Sequence, residues 1–251
     1  MKRREFSKQL LQTVSSYALF QSLWTTQALA RSIQPLTDHW AIQLHEYCQD
    51  LRKQSLTPLE WQQKLAELYE TIPLDELLRF IDFDRLSQGF QYPDLGVNTK
   101  MVRFPTLSGL PTRTAFVKKI FGMKKDRAII PHGHSNMASA HLILKGDLHV
   151  RHYEKIRQER NHLIVKPTLD TTLSPGGHTS ISDEKDNVHW FIAQSATAFT
   201  FDVIMLDLDQ KAYDIHNLDI KASQSLGDGS LRAPILEVQT ALKKYGKESH
   251  H

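Results

Sequence analysis

The chain has 251 residues, of which 40% are apolar and 24% are charged, and this composition is typical of a globular protein built on one main domain. The formal net charge is +3, and the excess of basic residues lies within the first thirty positions, so bulk charge gives no support to nucleic-acid binding. The single cysteine excludes an intramolecular disulfide and four-cysteine zinc sites. Any metal site would therefore draw on oxygen ligands and on the 13 histidines.

Residues 1–30 combine a basic start, a mildly apolar middle and a small-residue end, which is the pattern of an export signal peptide. The segment Arg3–Lys8, RREFSK, resembles the twin-arginine signal, and Ala28–Ala30 forms an A-x-A cleavage site. We predict a periplasmic or otherwise exported protein that meets the export machinery and is cleaved after Ala30. Polar residues interrupt the apolar stretch, so we expect no stable membrane anchor. The alternative is an amphipathic helix that belongs to the domain.

Residues 31–95 predict a helical extension ahead of the main domain. The sequence Thr57-Pro58-Leu59-Glu60 has the pattern of a capping box with proline at the first helical position, and apolar residues then recur on one face. A helix with an apolar face precedes this motif, and the segment PLDELLRFI predicts a short third helix. The stretch that follows is rich in Gly, Pro and Asn and predicts a loop with one strand.

From about residue 113 the apolar period changes to two, which is the period of a half-buried strand. Strand-like segments alternate with turn residues over this region: TAFVKKIFGM, DRAIIPHGH, SAHLILKGDLHVRHYEKI, RNHLIVKPTL, GHTSISD, NVHWFIAQ and AFTFDVIMLDL. This spacing predicts a mainly β, antiparallel sandwich or barrel over residues 96–210. Residues 211–251 predict an irregular segment and then a C-terminal helix, APILEVQTALKKYG.

Histidines concentrate in the segment PHGHSNMASAHLILKG, which runs from Pro131 to Gly146 and holds no carboxylate. His132 and His134 are two residues apart on a predicted strand, so both side chains point to the same face and can reach one metal ion. His189 begins a later strand after the charged turn DEKDN. The pattern therefore predicts a histidine-rich metal site.

This arrangement resembles the cupin superfamily, whose first motif is G-x5-H-x-H-x3–4-E-x6-G and whose second motif places a histidine on a later strand. Gly146 stands where the last glycine of the first motif falls, and Ser139 then takes the glutamate position. Cupins without that glutamate include the three-histidine thiol dioxygenases such as cysteine dioxygenase, which also begin with helices and carry a T-R step, here Thr112-Arg113. The resemblance implies a jelly-roll barrel, or double-stranded β-helix, with a helical N-terminal extension.

The resemblance further implies a mononuclear metal-dependent dioxygenase that uses O₂ on a small substrate, with thiols as one class. The metal is expected to be Fe(II) held by His132, His134 and His189, with Zn, Mn, Ni and Cu as alternatives because the ligand types do not choose the ion. Arg113 is the candidate for gripping a substrate carboxylate. A cupin isomerase or lyase, and a non-enzymatic protein that binds a metal or small ligand, are the alternative functions. The oligomeric state is left open.

The chain departs from the thiol dioxygenases beside the expected metal. Their Ser-His-Tyr set aligns with Thr200, Asp202 and Ile204, so the tyrosine is missing. The cysteine that cross-links to that tyrosine in some members aligns with Ser139. The groups that move protons at the site, and with them the substrate, are therefore expected to differ.

Two further histidines leave alternatives open. His141 lies two residues after Ser139 and points to the same inner face, where it is a fourth metal ligand, a base beside the ion, or a hydrogen-bonded core residue. His178 approaches the second cupin motif and competes with His189 for the third ligand position, although the strand pattern favours His189. Three others lie among Lys and Arg and are predicted on a solvated face: His149, His152 and His162.

Overall fold

The computed structural model describes residues 36–248, so the predicted export signal lies outside the described residues. This range holds five α-helices: α1 (Leu36–Arg52), α2 (Pro58–Glu70), α3 (Leu74–Phe80), α4 (Phe83–Ser87) and α5 (Val238–Tyr245). The capping box predicted for α2 is present, because the Thr57 hydroxyl accepts from the Glu60 N–H at 3.2 Å and the Glu60 carboxylate accepts from the Thr57 N–H at 2.8 Å. None of the described helices is long and apolar enough to cross a membrane.

The described range also holds twelve strands: β1 (Asn98–Met101), β2 (Val117–Lys124), β3 (Ala128–Ser135), β4 (Ala138–Lys145), β5 (Leu148–Gln158), β6 (His162–Leu173), β7 (His178–Ile181), β8 (Val188–Ala193), β9 (Thr197–Met205), β10 (Asp214–Leu218), β11 (Gln224–Ser225) and β12 (Leu231–Leu236). Every predicted strand segment forms a strand, and the longest one forms both β4 and β5. The chain reverses between these two at Gly146, whose φ of +70° is a left-handed conformation that favours glycine.

The strands form two antiparallel sheets. One has the order β1-β2-β9-β4-β7, and the other has the order β10-β3-β8-β5-β6-β12-β11. The inner part of each sheet, β2-β9-β4-β7 and β3-β8-β5-β6, has the strand order of an eight-stranded jelly roll, which is the architecture of cupins. The mainly β, cupin-type barrel with an N-terminal helical extension and a C-terminal helix is therefore confirmed.

The segment after β9 is more regular than the sequence predicts. β10 pairs with β3, and β12 pairs with both β6 and β10, where irregular chain was expected. These strands are polar or contain Pro234, so an apolar period of two does not mark them. The C-terminal helix is correspondingly shorter than predicted, because residues 233–236 belong to β12 and the helix begins at Val238.

The N-terminal helices cover the outer face of the five-stranded sheet, so that β4 is buried on both faces. Trp40 of α1, for example, packs against Phe201 of β9 with ring centroids 6.2 Å apart. Between the two sheets the interior is apolar at one end, where the side chains include Ile143, Val150 and Phe191. The other end of this interior is lined with histidines, and the functional candidates lie there.

Candidate metal centre

A β-bulge brings the predicted histidines together in the barrel interior. Between β3 and β8, Ile129 pairs with Phe191, and the next matched pair is His132 with His189, so β3 carries one residue more than its partner. The extra residue falls beside Pro131, and a bulge tolerates proline because it interrupts the ladder of hydrogen bonds. Pro131 therefore lies within β3, at the bulge. Without the bulge, Pro131 would lie opposite His189.

His132, His134 and His189 form a compact group, in which one ring nitrogen of each lies within 4.8 Å of the others. The ring centroids are 4.2 Å apart for His132 and His189, 4.7 Å for His132 and His134, and 5.1 Å for His134 and His189. Among residues 36–248 no other group of histidines, cysteines and carboxylates is placed in this way. The structure thus brings the three predicted ligands to one point.

Burial keeps these three imidazoles neutral. It lowers the pKa of His132 to about 4, and burial together with the neighbouring His132 ring holds the pKa of His134 and of His189 well below the ordinary value. The Nδ1–H of His132 donates to the Ile130 carbonyl at 2.7 Å, which leaves a lone pair on Nε2. Neutral imidazoles with free lone pairs are the form that binds a metal ion.

Four buried polar atoms in this region have no hydrogen-bond partner among the described residues. They are the Nδ1 atoms of His134 and His189, the Nε2 atom of His141 and the Oγ atom of Ser139. Buried polar atoms are nearly always satisfied in folded proteins, so a cluster of unsatisfied ones points to a bound group. Ring nitrogens with lone pairs suit a cation. The residues therefore fit a mononuclear metal ion.

His141 is oriented by a buried carboxylate. Its Nδ1–H donates to Oδ2 of Asp202 at 2.7 Å, and Oδ1 of Asp202 accepts from the Thr200 hydroxyl at 2.5 Å. This leaves the lone pair of His141 on Nε2, in a ring whose centroid is 5.1 Å from that of His189. His141 lies outside the group whose ring nitrogens fall within 4.8 Å of one another. Its position therefore favours a base beside the three-histidine group over a fourth ligand of that group.

Asn187, which the sequence patterns did not single out, fixes the backbone of His134. Its side-chain oxygen accepts from the His134 N–H at 2.9 Å, and its amide donates to the His134 carbonyl at 3.1 Å. Gly133 permits this approach, because a Cβ at that position would lie 2.9 Å from the Asn187 oxygen. The glycine inside the H-x-H motif is thus required by packing.

Two other candidates lie outside the three-histidine group. His178 begins β7, where its ring lies 5.7 Å from that of Tyr69 and its Nε2 lies 3.9 Å from a carboxylate oxygen of Glu70. The placement of His178 supports His189 as the third histidine of the group. Arg113 is exposed in the loop before β2, and its contact with a substrate carboxylate stays a prediction.

The solvated position predicted for His152 is wrong. The residue is 1% exposed, its ring stacks on Phe191 with centroids 6.0 Å apart, and it lies directly opposite His189 in the pairing of β5 with β8. His152 lies at alternate positions with the buried residues Leu148 and Val150, so it points to the same face of β5. This alternation could have predicted its burial, but the charged residues around it favoured a solvated position. The other two histidines of that prediction are part-exposed: His149 and His162.

Neither a protein-family model nor a curated protein sequence matches this chain. Solved structures match part of it. KdgF from Halomonas sp. is 15% identical, with a TM-score of 0.32, over 47% of this chain and 87% of its own. A recombinant oxalate oxidase in complex with glycolate is 12% identical, with a TM-score of 0.35, over 47% of this chain and 55% of its own.

Procruciferin, an 11S globulin from Brassica napus, is 13% identical, with a TM-score of 0.31, over 41% of this chain and 23% of its own. The chain thus spans about a quarter of the globulin and just over half of the oxidase that it matches. Likeness at this level carries no information on ligand or activity.

Proposed function

We propose that this protein is a metal-dependent dioxygenase in which His132, His134 and His189 hold one Fe(II) ion. The observation that carries the proposal is a group of three histidines, with no carboxylate in the group, beside a buried His141–Asp202 pair. When bound, the ion would supply a Lewis acid for an anionic substrate donor and electrons for O₂. A histidine-only ligand set leaves more positive charge at the site, which favours donors such as thiolate or enolate.

The residues of the chain supply the proton chemistry. Nε2 of His141 takes a proton from the substrate donor, and the Asp202 carboxylate stabilises the imidazolium that forms, through the hydrogen bond at Nδ1. Thr200 keeps Asp202 in place by donating to its second oxygen. Because His141 and Asp202 are 3% and 1% exposed, this transfer takes place with little access for competing water.

The same pair supports a second candidate, which is an isomerase or lyase that uses a Zn, Mn or Ni ion as a Lewis acid and does not need O₂. The favouring observation is that Nε2 of His141 is buried, free of partners and held in one tautomer by Asp202. A base in that state is suited to removing a proton next to a carbonyl group.

Metal analysis combined with oxygen uptake tests the proposal. The full chain is stripped with a chelator, reloaded with Fe(II) or with Zn(II) under argon, and then mixed with aerated buffer that contains small thiols or 1,3-diketones. The dioxygenase predicts one iron per chain and oxygen uptake with at least one substrate class, while the zinc-loaded protein stays inactive.

The other outcomes are equally specific. Consumption of a substrate by the zinc-loaded protein without oxygen uptake would replace the dioxygenase with the isomerase or lyase. Tight binding of an ion without turnover in either arm would instead identify a non-enzymatic metal-binding protein. Failure of the wild-type chain to bind either ion would refute the metal site itself.

We also propose that the protein is exported, on the basis of the RREFSK segment and the A-x-A site that ends at Ala30. The test expresses the full chain in a bacterial host that has a twin-arginine pathway. We expect a periplasmic product whose first residue is Arg31. Replacement of Arg3 and Arg4 by lysine should retain the full-length chain in the cytoplasm, and an exported product from that variant would exclude the twin-arginine route.

A further inference from the structure

One cavity of the structure, which we term the His132 cleft, reaches the three-histidine group. It has a volume of about 520 Å³ and is bounded by the loop before β1, by parts of β2, β3 and β10, and by α5, with His132 in its lining. His132 is part-exposed, whereas His134 and His189 are each only 2% exposed. Of the three histidines, His132 is therefore the one that lines the cleft and is accessible to solvent.

The lining of the His132 cleft is mostly hydrocarbon. It includes Phe121, Ile129 and Leu242, and none of the described residues that line it carries a charge. Two further lining residues, Ile215 and Val238, are 44% and 45% exposed. An apolar cavity of this size, with exposed apolar side chains at its edge and a few polar groups inside, is typical of a small-molecule site.

Two polar side chains of the lining lie next to each other. Asn217 of β10 is paired directly with His132 of β3, and residues opposed in an antiparallel pair point to the same face of the sheet. The Asn217 amide offers both a donor and an acceptor. This end of the cleft is therefore suited to an oxygen function such as a ketone, an enol or a hydroxyl group.

We propose that the His132 cleft binds the hydrocarbon body of an uncharged substrate and directs an oxygen function of that substrate toward Asn217 and His132. The assignment of the reacting end rests on the proposed function, whereas binding in the cleft does not. A permanent carboxylate on the part of the substrate that contacts the lining is disfavoured, because none of the described lining residues is a lysine or arginine and burial of an unpaired charge is strongly unfavourable. Arg113 is not part of the lining, so a hydrophobic enolisable ketone fits better than an amino-acid thiol.

A pair of fluorescent probes that differ in charge tests the cleft. 2-Naphthol is uncharged at neutral pH, and 2-naphthoate has the same ring system with a carboxylate. Fluorescence titration of the full chain, stripped of metal with a chelator, should show one saturable site for 2-naphthol, with 2-naphthoate binding at least about tenfold more weakly. Equal affinities for the two probes, or no saturable binding of 2-naphthol, would overturn the proposal.

Two substitutions test whether 2-naphthol binds in the His132 cleft. Ile215→Glu adds a charge at an exposed edge of the cleft and should weaken 2-naphthol binding by about tenfold or more. Ile156→Glu is the matched control, because Ile156 is also an exposed isoleucine in a strand, at 53% exposure, and it does not line the cleft. Unfolding temperatures of both variants verify folding. An equal loss of binding in the two variants, or no loss in either, would refute the assignment to the cleft.

A last measurement separates failure of the cleft from failure of the proposed function. One equivalent of Cu(II) is added to the 2-naphthol complex of the wild type and of His189→Ala. Because the cleft ends at His132, bound copper should quench or displace the probe in the wild type and leave it unaffected in the variant. If copper does not bind to the wild type, the metal site fails while 2-naphthol binding still supports the cleft. Stoichiometric copper without any effect on the probe would refute the link between cleft and site.

Discussion

Nδ1 of His141 lies 2.7 Å from Oδ2 of Asp202, and both side chains are buried inside the barrel. His149 and Asp170 form the same kind of pair on the outer surface of the other sheet, where the carboxylate is 63% exposed. A surface pair of this kind contributes little, because solvent screens both groups. The buried pair is different, because both groups are desolvated and depend on each other and on the Thr200 hydroxyl for compensation, so removal of one partner would leave the other unsatisfied.

The first prediction concerns Asp202→Asn. The amide keeps the shape of the side chain but can donate to Nδ1 of His141, which would move the ring proton to Nε2 and abolish its basicity. We expect metal content to stay at the wild-type level and turnover to fall by about 10²–10⁴-fold. Metal analysis and steady-state rates on the same preparation measure both. Asp170→Asn is the matched control and should change neither. Loss of metal in Asp202→Asn would show that His141 is a ligand.

The second prediction compares His189→Ala with His178→Ala. Only His189 belongs to the group whose ring nitrogens lie within 4.8 Å of one another, whereas His178 contacts Tyr69 and lies near Glu70. We expect the His189 variant to lose nearly all of its metal and the His178 variant to retain about one ion per chain. Dialysis against a limiting metal, followed by elemental analysis, provides the measurement. Loss of metal in the His178 variant and retention in the His189 variant would assign the third ligand position to His178.

Much of the fold was predictable, because alternation of apolar residues marks strands that bury one or both faces. The same parity rule places His132 and His134 on one face, and the motif spacing marks Gly146 as a turn. The bulge beside Pro131 was not predictable, since a single inserted residue leaves no periodic signal, yet it decides which side chain lies opposite His189.

Asp202 was predicted to align with the Ser-His-Tyr set of the thiol dioxygenases, but its contact with His141 was not predicted. Thr200 and Asp202 interrupt an apolar strand at a spacing of two, and Thr200, Asp202 and His141 all lie on the inner face. The spacing shows that the two residues share a face. It does not show which strand lies next to them, because β4 and β9 are distant in sequence and their register depends on the whole sheet. The contact between His141 and Asp202 therefore needed the structure.

The third prediction concerns acid stability of the metal-free protein. Burial lowers the pKa of His152 from 6.5 to about 3. Between these values the unfolded chain binds a proton that the folded chain does not, so the free energy of unfolding falls as the pH falls through this window and is unaffected above it. His152→Gln should therefore lose about 2 kcal/mol less stability than the wild type between pH 7 and pH 5.

Urea unfolding in the presence of a chelator measures the free energy of unfolding of both proteins at pH 7 and pH 5. Comparing the change between the two pH values removes any pH-independent effect of the substitution. His149→Gln is the control, because His149 is part-exposed on the same strand. An identical pH-dependent loss in the wild type and in His152→Gln would contradict the prediction.

The fourth prediction tests the turn glycine of the cupin-like motif. At Gly146 a Cβ would lie 2.3 Å from the carbonyl oxygen of Thr197, and the backbone has a φ of +70°. Gly146→Ala therefore combines left-handed strain with a clash against backbone, and we expect a loss of about 3 kcal/mol or more in the free energy of unfolding. Gly176→Ala separates the two effects, because Gly176 has a φ of +90° and a Cβ there meets nothing within 4 Å. That control should lose only about 1 kcal/mol. Equal losses in the two variants would mean that conformational strain alone, and not the close approach to Thr197, requires glycine at position 146.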